Sequence, residues 1–262
     1  MATASQWLSA LIIPLASGAA ALAADSHVGG LDVWSAAARG QFASRVFLIE
    51  VAFVVIAAPV AGVLVAKPRP SPDASLLLAT RDVGLLGGAW QLARPLIAGA
   101  TMLAATSAVM VLVLAPAIDP ETLAICHAVL WAAALLLAAL GAMCAAVCSE
   151  ALDAAACALC VALLVGLGLF AAGPVLSVFP RRVLDVALAA NPIVASASAA
   201  NVDIFRTEPF YRLSPLAHIQ IDYPTPATAF VWYALIAAVL FVGSARGLAR
   251  RASDPSFERM SA

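Results

Sequence analysis

The sequence predicts an all-α, polytopic membrane protein of about six spanning helices, with a long outer segment before the last helix. Three observations carry this. Of 262 residues, 64% are hydrophobic and only 11% charged, with a mean hydropathy of +1.01, whereas a soluble domain carries about 25% charged residues. The 14 basic and 15 acidic side chains cannot cover a water-facing surface without leaving large apolar patches exposed. The apolar residues also gather into six stretches, each near the ~20 residues that cross a bilayer as a helix.

The first stretch, 7–24, resembles a secretory signal peptide in length and in the small residues before Asp25, but it lacks a basic leader and is kept as a span. The others run over 42–66, 92–115, 123–148, 154–178 and 227–248. All are rich in Ala with scattered Gly, which lets helices approach closely in lipid. The chain reads as one transmembrane domain, 1–262.

Lys67, Arg69, Arg81, Arg94, Arg246, Arg250, Arg251 and Arg259 fall on one side of these spans, and in the short loops only Arg39 and Arg45 on the other. That asymmetry predicts both termini in the cytoplasm. Arg181, Arg182, Arg206 and Arg212 in the long outer segment, 179–226, reduce the contrast.

Three segments lie between spans. The cytoplasmic connection 67–91 opens with Lys67-Pro68-Arg69-Pro70-Ser71-Pro72, whose prolines prevent helix. Asp73 or Ser75 then caps a short helix through Leu76-Leu77-Leu78. A tight turn occupies Ser149-Glu150-Ala151-Leu152-Asp153. The outer segment predicts one or two helices over 181–206, broken at Asn191-Pro192, followed by a proline-rich stretch to 226. At that length it is expected to pack on the outer mouth of the bundle.

With a net charge of −1 and no Lys/Arg cluster, nucleic acid is not an expected partner. No Gly-x-x-x-x-Gly-Lys-Ser/Thr loop occurs, so the chain has no cradle for nucleotide phosphates. Glu50 stands out as an ionisable residue inside a span, where burial is expensive. As a substrate or polar-pathway residue it would contact substrate or couple protons from the bundle interior; otherwise it reaches the outer interface or pairs with Arg45 or Arg39. His127 reads as a lone polar residue near the outer end of its span.

Cys144 and Cys148, and Cys157 and Cys160, are spaced to share helix faces on either side of the tight turn. Four sulfurs meeting there would suit copper(I) or zinc, although small thiols packed in helices are the simpler reading. Ser214, His218 and Asp222 recur four apart, but Pro215 and Pro224-Thr225-Pro226 break any shared helix, and spacing alone makes no triad.

The order of features resembles the permease subunits of ABC-2 type exporters, the membrane halves of ATP-binding-cassette transporters. Ala36-Ala37-Ala38-Arg39-Gly40-Gln41-Phe42 leads into a span containing Ala58-Pro59, like the family's second helix. Ser75-Leu76-Leu77-Leu78-Ala79-Thr80 resembles the coupling segment that follows it. The apolar hairpin 123–149, turning through Ser149-Glu150-Ala151-Leu152, is similar to the fourth-to-fifth connection. Asn191-Pro192, Asp203-Ile204-Phe205-Arg206 and Tyr211 through Leu216 resemble the outer segment of a bacterial branch.

The resemblance implies a transporter subunit of the bacterial cytoplasmic membrane, itself not an enzyme and holding no cofactor. It would pair with a second permease copy or paralogue and with a separate ATPase. Asp73, Ser75, Leu76, Leu77, Leu78, Thr80, Arg81 and Glu150 would contact that ATPase. The chain departs from the family in the proline run before the coupling leucines, in Thr80-Arg81 where Thr-Pro is usual, and in lacking a basic amphipathic helix before the first span. Those departures keep open an alternative, a non-transporting scaffold that retains the permease fold.

Overall fold

The computed structural model describes Ala16 and residues 36–67, 75–114, 118–171, 180–206 and 222–252. The predicted first span lies outside these residues, apart from Ala16. Among the described residues seven helices follow in order: α1 (Ala36–Ala66), α2 (Ser75–Leu114), α3 (Pro120–Val147), α4 (Ala151–Ala171), α5 (Arg181–Ala190), α6 (Pro192–Ala199) and α7 (Pro226–Ala252), with a 3-10 turn at Ile204–Arg206. Five of them contain stretches long and apolar enough to cross a membrane: Val46–Ala66, Gly84–Val113, Pro120–Val147, Ala151–Ala171 and Pro226–Arg251. Among the described residues there are no strands. The protein is an all-α, multi-pass membrane protein.

The span expected to start at 92 begins earlier. α2 bends at Gly84, whose backbone (φ 73°, ψ 172°) lies where only glycine sits easily, and the apolar run starts there. Leu85-Leu86-Gly87-Gly88-Ala89-Trp90 is apolar throughout, so the sequence boundary, drawn around Gln91 and Arg94, stood about two turns too late.

α3 is the axis of the bundle. Of its 28 residues 17 are buried, against 6 of 21 in α4, and it packs on α1, α2, α4, α6 and α7. Its composition explains this: Ala132, Ala133, Ala138, Ala139, Ala142 and Ala145 place little but methyl groups between neighbouring backbones. The approach to α1 is closest. A Cβ on Gly62 would lie 1.9 Å from the Ala138 carbonyl oxygen, and one on Gly141 1.9 Å from that of Pro59. Only hydrogen fits at either place.

Each end of the bundle is tied by polar groups. At one end, the last carbonyls of α3 lack partners within the helix. Lys67 Nζ donates to the carbonyls of Cys148 and Ser149, both at 2.6 Å, and Arg251 donates to those of Val147 and Cys148. These cations also complement the negative end of the helix dipole, and they join α1, α3 and α7. Burial of its ammonium group and the neighbouring Arg251 hold Lys67 below the usual lysine pKa.

At the other end, the break predicted at Asn191-Pro192 separates α5 from α6. The Asn191 Oδ1 accepts from the amides of Ile193 (2.9 Å) and Val194 (3.1 Å), and its Nδ2 donates to the Gly166 carbonyl of α4 (2.9 Å). α6 is buried from Pro192 to Ala197 and packs on α1, α3, α4 and α7. It is therefore inserted among the spans, deeper than the covering over the mouth that the sequence suggested. Tyr233 on α7 donates to the Ala189 carbonyl (3.0 Å), Ser198 to that of Pro224 (2.8 Å), and Arg181 pairs with Asp222.

Candidate functional site

Three spans each bring one polar side chain to the same point. Glu50 (α1) and Ser107 (α2) are 0% exposed, and His127 (α3) is 7% exposed. With a rise of about 1.5 Å per residue, Glu50 lies ~6 Å inside its span, and Ser107 and His127 each lie ~10 Å from their helix ends. All three measure from the α5–α6 end, and it is the direct contacts among them that place them at one level. The Ser107 hydroxyl is hydrogen-bonded to Glu50 Oε2 and lies 2.9 Å from His127 Nε2. His127 Nδ1 lies 2.7 Å from the Leu123 carbonyl one turn earlier. Phe47 closes over the imidazole, ring centroids 5.8 Å apart.

The carbonyl fixes the histidine. It can only accept, so Nδ1 carries a hydrogen. Glu50 Oε1 is buried without a hydrogen-bond partner, a condition that costs about 1–3 kcal/mol for an uncharged group and more for a charged one. A cavity of about 30 Å³ adjoins the imidazole, enough for one or two waters. Ile118 and Thr122 before and within the first turn of α3, and Ala200 after α6, line it toward the bundle end. Ser44, Phe47 and His127 line it toward the interior.

Glu50 was legible in the sequence and its partner was not. The carboxyl is fully buried. Arg39 and Arg45, offered as partners, have side chains outside the described residues. Ser107 drew no attention because serine is unremarkable in a membrane helix, and His127 was read as a lone group. The single usable signal was a Glu, a Ser and a His at similar depth in consecutive spans, and depth was readable only to within the error of the span ends.

The remaining sequence candidates lie elsewhere. Asp73 falls outside the described residues. Ser75, Leu76, Leu77, Leu78, Thr80 and Arg81 form the helical start of α2, before the Gly84 bend, and their side chains are likewise outside the described residues. Glu150 is exposed in the turn before α4, where its carbonyl accepts from Ala154 (3.1 Å). Of the four cysteines, Cys144 and Cys157 approach to 3.8 Å between sulfurs, while Cys157 and Cys160 face outward from the bundle. Among the described residues no three His, Cys, Asp or Glu side chains gather to hold a metal. Of Ser214, His218 and Asp222, only Asp222 is described, and it pairs with Arg181.

Neither the models of known protein families nor the curated proteins compared with this chain give a match.

Proposed function

We propose that this chain is the membrane permease subunit of an ABC-2 type exporter, moving a substrate across the bacterial cytoplasmic membrane with energy from a separate ATPase. The observation that carries the reading is the start of α2. A helical segment from Ser75 precedes the Gly84 bend and continues directly into a span. Force applied to that segment passes into the bundle without crossing a flexible loop. It belongs to the end where Lys67 and Arg251 lie, the end that the positive-inside rule assigns to the cytoplasm. The α5–α6 pair before the last span, with α6 buried among the spans, also fits the outer segment of the family.

ATP binding falls to the partner chain, and cargo passes between this subunit and a second permease copy or paralogue. The test is purification of the tagged chain in mild detergent, with mass spectrometry of its companions. Recovery of an ATP-binding-cassette ATPase in near-equal amount is expected. Replacement of Leu76, Leu77 and Leu78 by Asp should then abolish stimulation of that ATPase by the membrane subunit.

The proline run and the missing family residues at 67–81 favour one second reading, a non-transporting scaffold. It predicts recovery with a large complex lacking such an ATPase, or stimulation untouched by the leucine substitutions.

A further inference from the structure

Hydrogen-bond directions in the Glu50–Ser107–His127 chain allow few proton arrangements. In the uncharged one, the Glu50 carboxyl O–H donates to Ser107 Oγ, the Ser107 O–H donates to His127 Nε2, and Nδ1–H donates to the Leu123 carbonyl. In the charge-separated one, Ser107 donates to a Glu50 carboxylate and a doubly protonated imidazole donates to both Ser107 and Leu123. They interconvert by two proton hops: the Glu50 O–H bond breaks as a new Ser107 O–H bond forms, and the old Ser107 O–H bond breaks as Nε2–H forms. No electrons move and the cluster stays neutral overall. The apolar surroundings favour the arrangement without charges. So does the unpartnered Glu50 Oε1, which is then the carbonyl oxygen of an acid.

Removing one proton from this cluster leaves no satisfactory arrangement. With Glu50 ionised and Ser107 turned to it, a neutral imidazole has one hydrogen for two contacts. Two lone pairs then face each other, either between Nε2 and Ser107 Oγ at 2.9 Å or between Nδ1 and the Leu123 oxygen at 2.7 Å. That contact is repulsive: the first sets α2 against α3, the second strains the imidazole within α3, and in both the ionised Glu50 of α1 lies buried in apolar surroundings, which water would relieve. The adjoining cavity gives water a place beside the imidazole.

We propose that Glu50, Ser107 and His127 form a proton-binding site, in which one proton exchanged through the adjoining cavity holds α1, α2 and α3 together, and its release lets their α5–α6 ends open. The other titratable group at the cavity is Cys126. α6 carries no ionisable residue. Those of α4 (Asp153, Cys157, Cys160) and of α7 (Arg246, Arg250, Arg251) lie toward the opposite end, and Arg94 of α2 is ~20 Å along the helix from Ser107. On α1, the side chains of Arg39 and Arg45 lie outside the described residues. The inference stands whether or not the chain partners an ATPase.

Cys126 is buried and lines the cavity, so its alkylation by a small thiol reagent reports opening. In Glu50→Gln the side-chain amide donates to Ser107 as the acid does but cannot lose its proton, which locks the closed arrangement. The purified full chain in lipid nanodiscs is alkylated across a range of pH, and the Cys126 rate is divided by that of E50Q to cancel the thiol's own ionisation. The ratio should rise at least about fivefold from acid to alkaline pH, the scale of one lost buried hydrogen bond. A flat ratio would overturn the proposal. Infrared spectroscopy of the unaltered chain needs no variant to fold. At neutral pH it should show a carboxylic-acid C=O band that shifts in D2O and is lost as the pH is raised. A band that ignores both D2O and pH, or no band at any pH where surface carboxylates are ionised, would reduce the cluster to a fixed structural contact.

Discussion

Replacing Gly141 by alanine tests the closest contact in the bundle. An added Cβ would stand 1.9 Å from the Pro59 carbonyl oxygen and 2.8 Å from its carbon, whereas ordinary contact begins near 3.4 Å. α1 and α3 must therefore part by about 1.5 Å. A gap of 0.5–1 Å already forfeits about a quarter to a half of a dispersion contact, and the obstacle is backbone, which cannot rotate aside. Overpacking of this kind costs about 1–3 kcal/mol, with the upper part of the range expected here. Alanine's better helix propensity offsets roughly 1 kcal/mol, leaving a net loss of about 1–2 kcal/mol. Gly62→Ala meets the Ala138 carbonyl in the same seam. Because one separation relieves both clashes, the double variant should cost less than the sum. Gly99→Ala is the control, since nothing lies within 4 Å of its added Cβ, and it should be neutral or gain up to about 1 kcal/mol. Unfolding in mixed micelles with increasing dodecyl sulfate measures all four. If Gly141→Ala is as stable as Gly99→Ala, the account of backbone contact between α1 and α3 is wrong.

Four further outcomes follow from other contacts. Asn191→Ala removes two cap acceptors and the donor to Gly166, and should cost about 2–4 kcal/mol in the same unfolding assay. Lys67→Met and Arg251→Met should each cost about 1 kcal/mol; both side chains serve the Cys148 carbonyl, so the double variant should cost more than the sum. A mild oxidant should join Cys144 to Cys157, whose sulfurs are 3.8 Å apart, and leave buried Cys126 a free thiol, as read by mass spectrometry of peptides. The Thr122 amide and hydroxyl bonds to Asp119 hold that carboxyl's pKa below its ordinary value. Its stabilising effect is therefore present above the unfolded-state value and is lost as pH falls through the lowered one. Hydrogen exchange at the first turn of α3 should accelerate in that acid range, and Asp119→Ala should remove the pH dependence.

Bilayer residence and helical class followed from composition alone, because 64% apolar residues in runs of about 20 have no other favourable solvent than lipid. The end of α1, the α3–α4 turn and the break at Asn191 were legible too, since Pro, Asn and charged residues act on their own backbone. Contacts between spans were not. The Ala-rich pattern makes nearly every face of every span equally suited to packing, so nothing local marked α3 as the axis or Gly62 and Gly141 as the residues where backbones touch. Glu50 announced itself by its cost in lipid, but what it bonds to depends on the rotation of α1, α2 and α3 about their own axes. A single residue step turns a helix face by about 100°, which the sequence of an almost uniformly apolar helix does not specify. Which helices lie in the membrane was thus written in the chain, while tertiary packing alone decided that a glutamate, a serine and a histidine from three of them share hydrogens in its interior.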